Sequence, residues 1–289
     1  MRKTGALTIF PDMDSISLWQ LVALAAASTL VGFSKTAVSG ANTISLAVFA
    51  AVLPARESTG VLLPILIVGD LLAVTVYRRH AHWPTLLRLF PAVAVGVVAG
   101  TLFLLWADDA AVRTSIGAIL LFMTGVTLWR RRLAEKESGP EARKESGSEG
   151  EKESGPEAGT GPAAGDEGAP GTGRTAARGY GVLGGFTTMV ANAGGPVMSL
   201  YLLSAGFRKL GFLGTSAWFF LILNVSKVPF SVGLGLIDAR SLLLDACLVL
   251  FVLPGAYLGR VCVDRINQRV FDRIVIGATV IGGLQLLLI

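Results

Sequence analysis

The sequence predicts an all-α polytopic membrane protein made of two inverted-topology repeats. Each repeat has about five helical segments and opens with a broken helical hairpin. Three observations predict this. The composition is 52% hydrophobic and only 16% charged, whereas soluble domains carry roughly 25% charged residues. Apolar segments near the roughly 20 residues of a spanning helix recur along the chain. The features of the first part also return, in the same order, beyond a polar stretch in the middle.

Residues 1–14 form a charged N-terminal segment. It has no apolar run with a cleavage site, so the first span serves for insertion. The apolar segments that follow are Leu18 to Val31, Gly60 to Tyr77, Leu86 to Trp106, Ala110 to Trp129, Gly211 to Leu234, Ser241 to Cys262 and Val270 to Leu288. They are apolar on all faces and lack the period-two alternation of a membrane barrel, so they read as helices.

Residues 133–178 consist almost entirely of Glu, Lys, Ser, Gly, Pro, Ala, Thr and Arg, and the octet Glu135 to Ala142 recurs at Glu151 to Ala158. Such a stretch cannot bury enough surface to offset its ordering entropy. It is expected to be a disordered linker, and it divides the chain into a first transmembrane repeat at 15–132 and a second at 179–289.

The repeats correspond feature by feature. Gly32-Phe33-Ser34 resembles Gly185-Phe186-Thr187. Gly60 matches Gly214, Asp70 matches Asn224 at the same offset, and the Gly96/Gly100 pair matches Gly255/Gly259. Internal repeats of this kind are a signature of secondary transporters.

Arg78, Arg79, Arg130, Arg131, Arg132, Arg208, Lys209, Arg260, Arg265 and Arg269 fall in alternate loops, and the intervening loops are poorer in Lys and Arg. The positive-inside rule places the rich loops in the cytoplasm. In the first half, the apolar hairpin from Leu18 to Leu53 returns the chain to its starting side, and three further spans flip it. The halves are therefore expected to be inverted. The linker is expected in the cytoplasm and both termini outside it, in a cell (plasma) membrane. The net charge of +5 is explained by these loops. No basic stripe with interleaved aromatics is present, so nucleic acid is not expected as a partner.

Two stretches interrupt the apolar pattern at membrane depth: Ser34 to Thr43 and Thr187 to Pro196. Irregular backbone inside a bilayer is tolerated only where protein or a water-filled cavity surrounds it. Each break is expected to end one half-helix and start another whose free N–H groups favour an anion. Small residues also permit close helix packing. The symmetric pairing of the breaks favours a site.

The candidate substrate-binding residues are Lys35, Ser39, Gly40, Asn42, Asn192, Gly194, Gly195, Asn224 and Lys227. Lys35 reads either as a snorkelling lysine or as a cation facing an anionic substrate. Lys227 lies one turn from Asn224, and buried ionisable groups in spans are by default functional. Asp70 reads either as a carrier of a coupling proton or as the ion-pair partner of a lysine. Asp245, near a helix start, reads as interfacial.

His80 and His82 lack further ligands, and Cys247 and Cys262 read as packing residues, so no metal is expected. No cofactor is expected either. No HExxH or GxSxG motif occurs, which argues against an enzyme.

Gly32-Phe33-Ser34-Lys35, Gly69-Asp70 with Tyr77, Gly184-Gly185-Phe186, Gly194-Gly195-Pro196, Asn224, Gly235 with Ile237-Asp238, and Gly255 with Gly259 resemble the TauE/SafE (sulfite exporter, TSUP) family of membrane permeases. The similarity covers nearly the whole chain except the linker. It implies movement of small sulfur-containing anions such as sulfite or sulfonates. Ser34-Lys35-Thr36 and Ser39-Gly40-Ala41-Asn42 stand where that family commonly has a run of glycines, so the substrate is left open. The expected activity is a secondary transporter, an exporter of a small organosulfur or related anion. Its partners are the lipid bilayer and that anion, with proton coupling through Asp70, and rocking of the halves gives alternating access. An anion channel using the same residues, and a membrane-embedded enzyme, are the alternatives.

Overall fold

A computed structural model describes residues 17–36, 42–137, 174–207, 209–262 and 268–288. Among these residues the chain is helical, with no strand. The first half contains α1 (Leu18–Thr36), α2 (Asn42–Val52), α3 (Ala55–Tyr77), α4 (Trp83–Trp106) and α5 (Asp109–Glu137). The second contains α6 (Arg174–Ala191), α7 (Gly194–Ser204), α8 (Lys209–Gly233), α9 (Ala239–Cys262) and α10 (Gln268–Leu288). α5 continues to Glu137 and α6 opens at Arg174, so both reach into the stretch read as linker. Residues 138–173 of that linker lie outside the described residues, as does the N-terminal segment 1–14.

Helix ends are set by local chemistry. Ser17 and Gln20 bond reciprocally at the start of α1, backbone N–H to side chain at 2.7 and 3.3 Å. This is a capping box with Gln at the third position. Asp238 and Ser241 make the same exchange before α9, at 2.7 and 3.1 Å. At the other end of α8, Gly235 takes a left-handed φ of 68°. Its N–H donates to the Val232 carbonyl, and that of Leu236 donates to the Ser231 carbonyl. This is a Schellman closure, which a residue with a Cβ would strain.

Among the described residues, six helices are long and apolar enough to cross a bilayer: those within Leu18–Thr36, Ala55–His80, Trp83–Trp106, Asp109–Trp129, Leu210–Gly233 and Ser241–Val261. α4 runs 24 residues between two exposed tryptophans, Trp83 and Trp106. That is about 36 Å, with amphipathic rings at both ends where membrane–water interfaces favour them. α2 and α7 have 11 residues each, about 16 Å long, or half of a hydrocarbon core.

The halves are not packed side by side. α1 lies against α9 and α4 against α6, while α3 meets α8 and α5 meets α10. The first two seams are glycine seams. A Cβ at Gly32 would strike the Val252 carbonyl, and one at Gly255 would strike the Thr29 carbonyl. In the other seam, Gly185 abuts the Val93 carbonyl and Gly96 the Val182 carbonyl. The glycines matched between the halves in the sequence therefore occupy corresponding contacts.

The register gives helix directions. In the first seam Gly32 meets Val252 and Ala256, and Gly259 meets Phe33. In the second, Gly181 meets Leu89 and Ala92, and Gly100 meets Met189. Numbers rise together in both, so these pairs run parallel. Between α3 and α8, Gly60 meets Leu236 and Gly214 meets Tyr77 and His80. Numbers rise in one helix as they fall in the other, so this pair is antiparallel.

Asp245 is 2% exposed, so its side chain faces protein near the start of α9. Hydropathy along a helix does not tell a protein-facing position from a lipid-facing one.

Candidate functional site

The second break is resolved at atomic detail. α6 stops at Ala191 because Asn192 takes a positive φ of 51°, a conformation that Asn tolerates better than most residues. The Asn192 N–H donates to the Thr188 carbonyl at 3.0 Å and the Ala193 N–H to the Thr187 carbonyl at 3.2 Å. α7 then begins at Gly194 with Pro196 in its first turn, where the missing N–H costs no helix bond. A Cβ at Gly194 would collide with the Thr188 hydroxyl, so the turn is closed to larger residues.

At the first break α1 ends at Thr36 and α2 begins at Asn42. The Asn42 N–H donates to the Ser34 hydroxyl at 3.1 Å, so the end of α1 caps the start of α2. Ser39 and Gly40 lie outside the described residues.

Between the breaks lies a polar network. Lys35 Nζ pairs with Asp70 Oδ1 at 2.5 Å. Asn224 Nδ2 donates to Asp70 Oδ2 at 2.7 Å, so both carboxylate oxygens are engaged. Lys35 also lies 4.7 Å from the centre of the Phe220 ring, within cation–π range. Asp70 is thus ion-paired in this arrangement. Asp70 is fully buried, and an isolated carboxylate there would be costly without such partners.

Lys227 belongs to a second network. Its Nζ donates to the Thr188 carbonyl at 2.7 Å and to Asn192 Oδ1 at 2.6 Å. Asn192 Nδ2 in turn donates to the Thr59 carbonyl at 3.0 Å. Lys227 therefore ties α8 to the broken end of α6, and Asn192 ties that end to α3. Among the described residues Lys227 has no carboxylate partner.

A cavity of about 70 Å³ opens between the breaks, several times the roughly 10–15 Å³ that one buried water requires. Its wall contains Ser34, Lys35, Asn42, Asp70, Thr188, Asn192, Gly195, Ser216, Phe220 and Asn224. The first turns of both half-helices, at Asn42 and Gly195, thus border it. Of the residues predicted from sequence, Lys35, Asn42, Asp70, Asn192, Gly195 and Asn224 are brought together here. Lys227 stands behind Asn192, and Gly194 packs on Thr188. Sequence reasoning did not single out Thr188, Ser216 or Phe220, and named Ser34 only among the residues standing in place of the family's glycines. Ser34 and Thr188 lie inside the breaks, which is the signal that marks them. Phe220 sits in an apolar run and carries none.

Membrane-length helices around a buried, polar, solute-sized cavity are the architecture of a multi-pass helical permease. The sequence model of the sulfite exporter TauE/SafE family matches residues 24–286, and the chain belongs to that family of membrane transporters. No curated protein and no solved structure matches the chain at a significant level.

Proposed function

We propose that the chain is a secondary transporter that exports a small organosulfur or related anion, such as sulfite or a sulfonate, across the plasma membrane. The carrying observation is the charge around the cavity. Lys35 puts an ammonium at the cavity wall, ion-paired to Asp70, while the buried Lys227 stands behind Asn192. The first turns of α2 and α7 add partial positive charge at the cavity wall. The substrate sits between the broken hairpins, against Lys35, Asn42, Asn192, Gly195 and Asn224. Ser39 and Gly40 complete the wall in this reading, and Lys227 and Gly194 hold the second break in shape. Protonation of Asp70 would release Lys35, which makes this pair the candidate for proton coupling.

The two halves, 15–132 and 179–289, are inverted repeats in this reading. The antiparallel packing of the matched helices α3 and α8 supports it, because a two-fold axis in the membrane plane reverses every helix it relates. The parallel pairs α1/α9 and α4/α6 support it too, since successive spans alternate in direction. The linker 133–178 is a cytoplasmic spacer and both termini lie outside. The chain performs no covalent chemistry of its own.

Proteoliposomes test the reading. Vesicles loaded with unlabelled sulfite should accumulate labelled sulfite by counterflow, and Lys35→Ala should abolish it. Flux without counterflow would instead identify a channel.

A further inference from the structure

Among the described residues, the fully buried side-chain atoms left without partners at the cavity wall are two amide oxygens. Asn224 lines the cavity and is 1% exposed. Its Nδ2 is committed to Asp70 Oδ2 at 2.7 Å. That bond fixes the amide's orientation, because the flipped amide would set its oxygen against a carboxylate oxygen. Asn224 Oδ1 is thereby left buried with no hydrogen-bond partner among the described residues. Asn42, from the first turn of α2, lines the same cavity, and its Oδ1 is buried with no partner among the described residues. The Asp70 carboxylate forms part of the same wall. A bare oxyanion offers only lone pairs and leaves such acceptors unpaired, and an unpaired buried polar group carries its full desolvation cost.

We infer that the cavity selects anions that carry their own hydrogen-bond donor: a hydroxy-substituted sulfonate, or an oxyanion that retains a proton. The negative group faces Lys35 and the first turn of α7, and the O–H donates to Asn224 Oδ1. An anion in its fully deprotonated form is the poorer ligand. For a protonated oxyanion, the proton then travels on the substrate itself. This rests on the anion-transport reading above.

The test compares hydroxymethanesulfonate with methanesulfonate, which share charge and sulfonate group and differ in one hydroxyl. Binding to the full chain in detergent is measured by calorimetric titration for wild type, Asn224→Leu and Asn42→Ala. Wild type should prefer the hydroxy compound by about 10-fold or more, as expected for a site built around a polar group. Asn224→Leu should collapse that preference to near unity. If Asn224→Leu does not fold, the wild-type ratio and a reduced ratio in Asn42→Ala carry the test. Equal affinities in wild type would overturn the inference, a water then satisfying Oδ1. So would a preference that survives in both variants. If neither sulfonate binds, the anion-transport reading itself fails, a result distinct from equal binding.

Discussion

Asp70 and Asn224, which stand at the same offset from Gly60 and Gly214, hydrogen-bond to each other at 2.7 Å. The two members of the pair differ in charge, and the difference is met by Lys35, which comes from the first half alone. Two positions matched by sequence are therefore joined by unlike groups, one of them charged.

The buried pair should show strong coupling. Asp70→Leu strands Lys35 and should destabilise the protein by about 3–5 kcal/mol, whereas replacing both, as Lys35→Met with Asp70→Leu, should recover most of that loss. Thermal unfolding in detergent across the four-member cycle measures the coupling. An additive cycle would show that the pair does not exist in the membrane protein.

The two lysines should fail in different ways. Lys35 lines the cavity and Lys227 does not. The double variant Lys35→Met with Asp70→Leu, which strands neither charge, should abolish anion counterflow at nearly normal folded yield. Lys227→Met removes two bonds to the α6 terminus, so it should lower the unfolding temperature and the folded yield. The surviving molecules should keep their ranking of anions. Lys227→Arg should not rescue, because a planar guanidinium does not fit where a compact ammonium does.

The glycine seams predict a sharp positional contrast. Gly32→Ala and Gly185→Ala drive a Cβ into a facing carbonyl and should cost about 1–3 kcal/mol, as overpacking does. Gly125→Ala meets nothing within 4 Å and should be neutral or stabilising by up to about 1 kcal/mol. Melting curves of the three variants decide it, and equal shifts would refute the seams.

Inversion can be read directly in cells. Reporters inserted at residue 155 and fused ahead of residue 17 should give opposite compartments, with the first cytoplasmic. The same compartment for both would contradict the odd number of crossings in the first half.

Much of this was legible in the sequence. Hydropathy marks the long helices, because a bilayer imposes one length on all of them. The paired breaks mark the cavity, because irregular backbone needs a polar or packed surround. The Gly60/Gly214 and Asp70/Asn224 matches are visible as equal offsets. The contact between Asp70 and Asn224 is not, since it depends on how two distant helices cross. Lys227 shares a helix face with Asn224, yet its Nζ reaches Asn192. That partner exists only because Asn192 turns left-handed at the end of α6. The burial of Asp245 and the place of Phe220 at the cavity were illegible for one shared reason. The direction a side chain faces around a spanning helix is set by neighbours, not by its own segment.

The seams between α1 and α9 and between α4 and α6 bear on what can move. Each joins a helix of one half to a helix of the other, with backbone resting on backbone. A transport cycle in which one sequence half rocks as a body against the other would have to tear both seams. The mechanical parts of this machine are thus pieces shared between the halves, and neither half is a stand-alone module. Severing the chain between α5 and α6 should yield fragments that assemble only when made together, each serving as the other's scaffold.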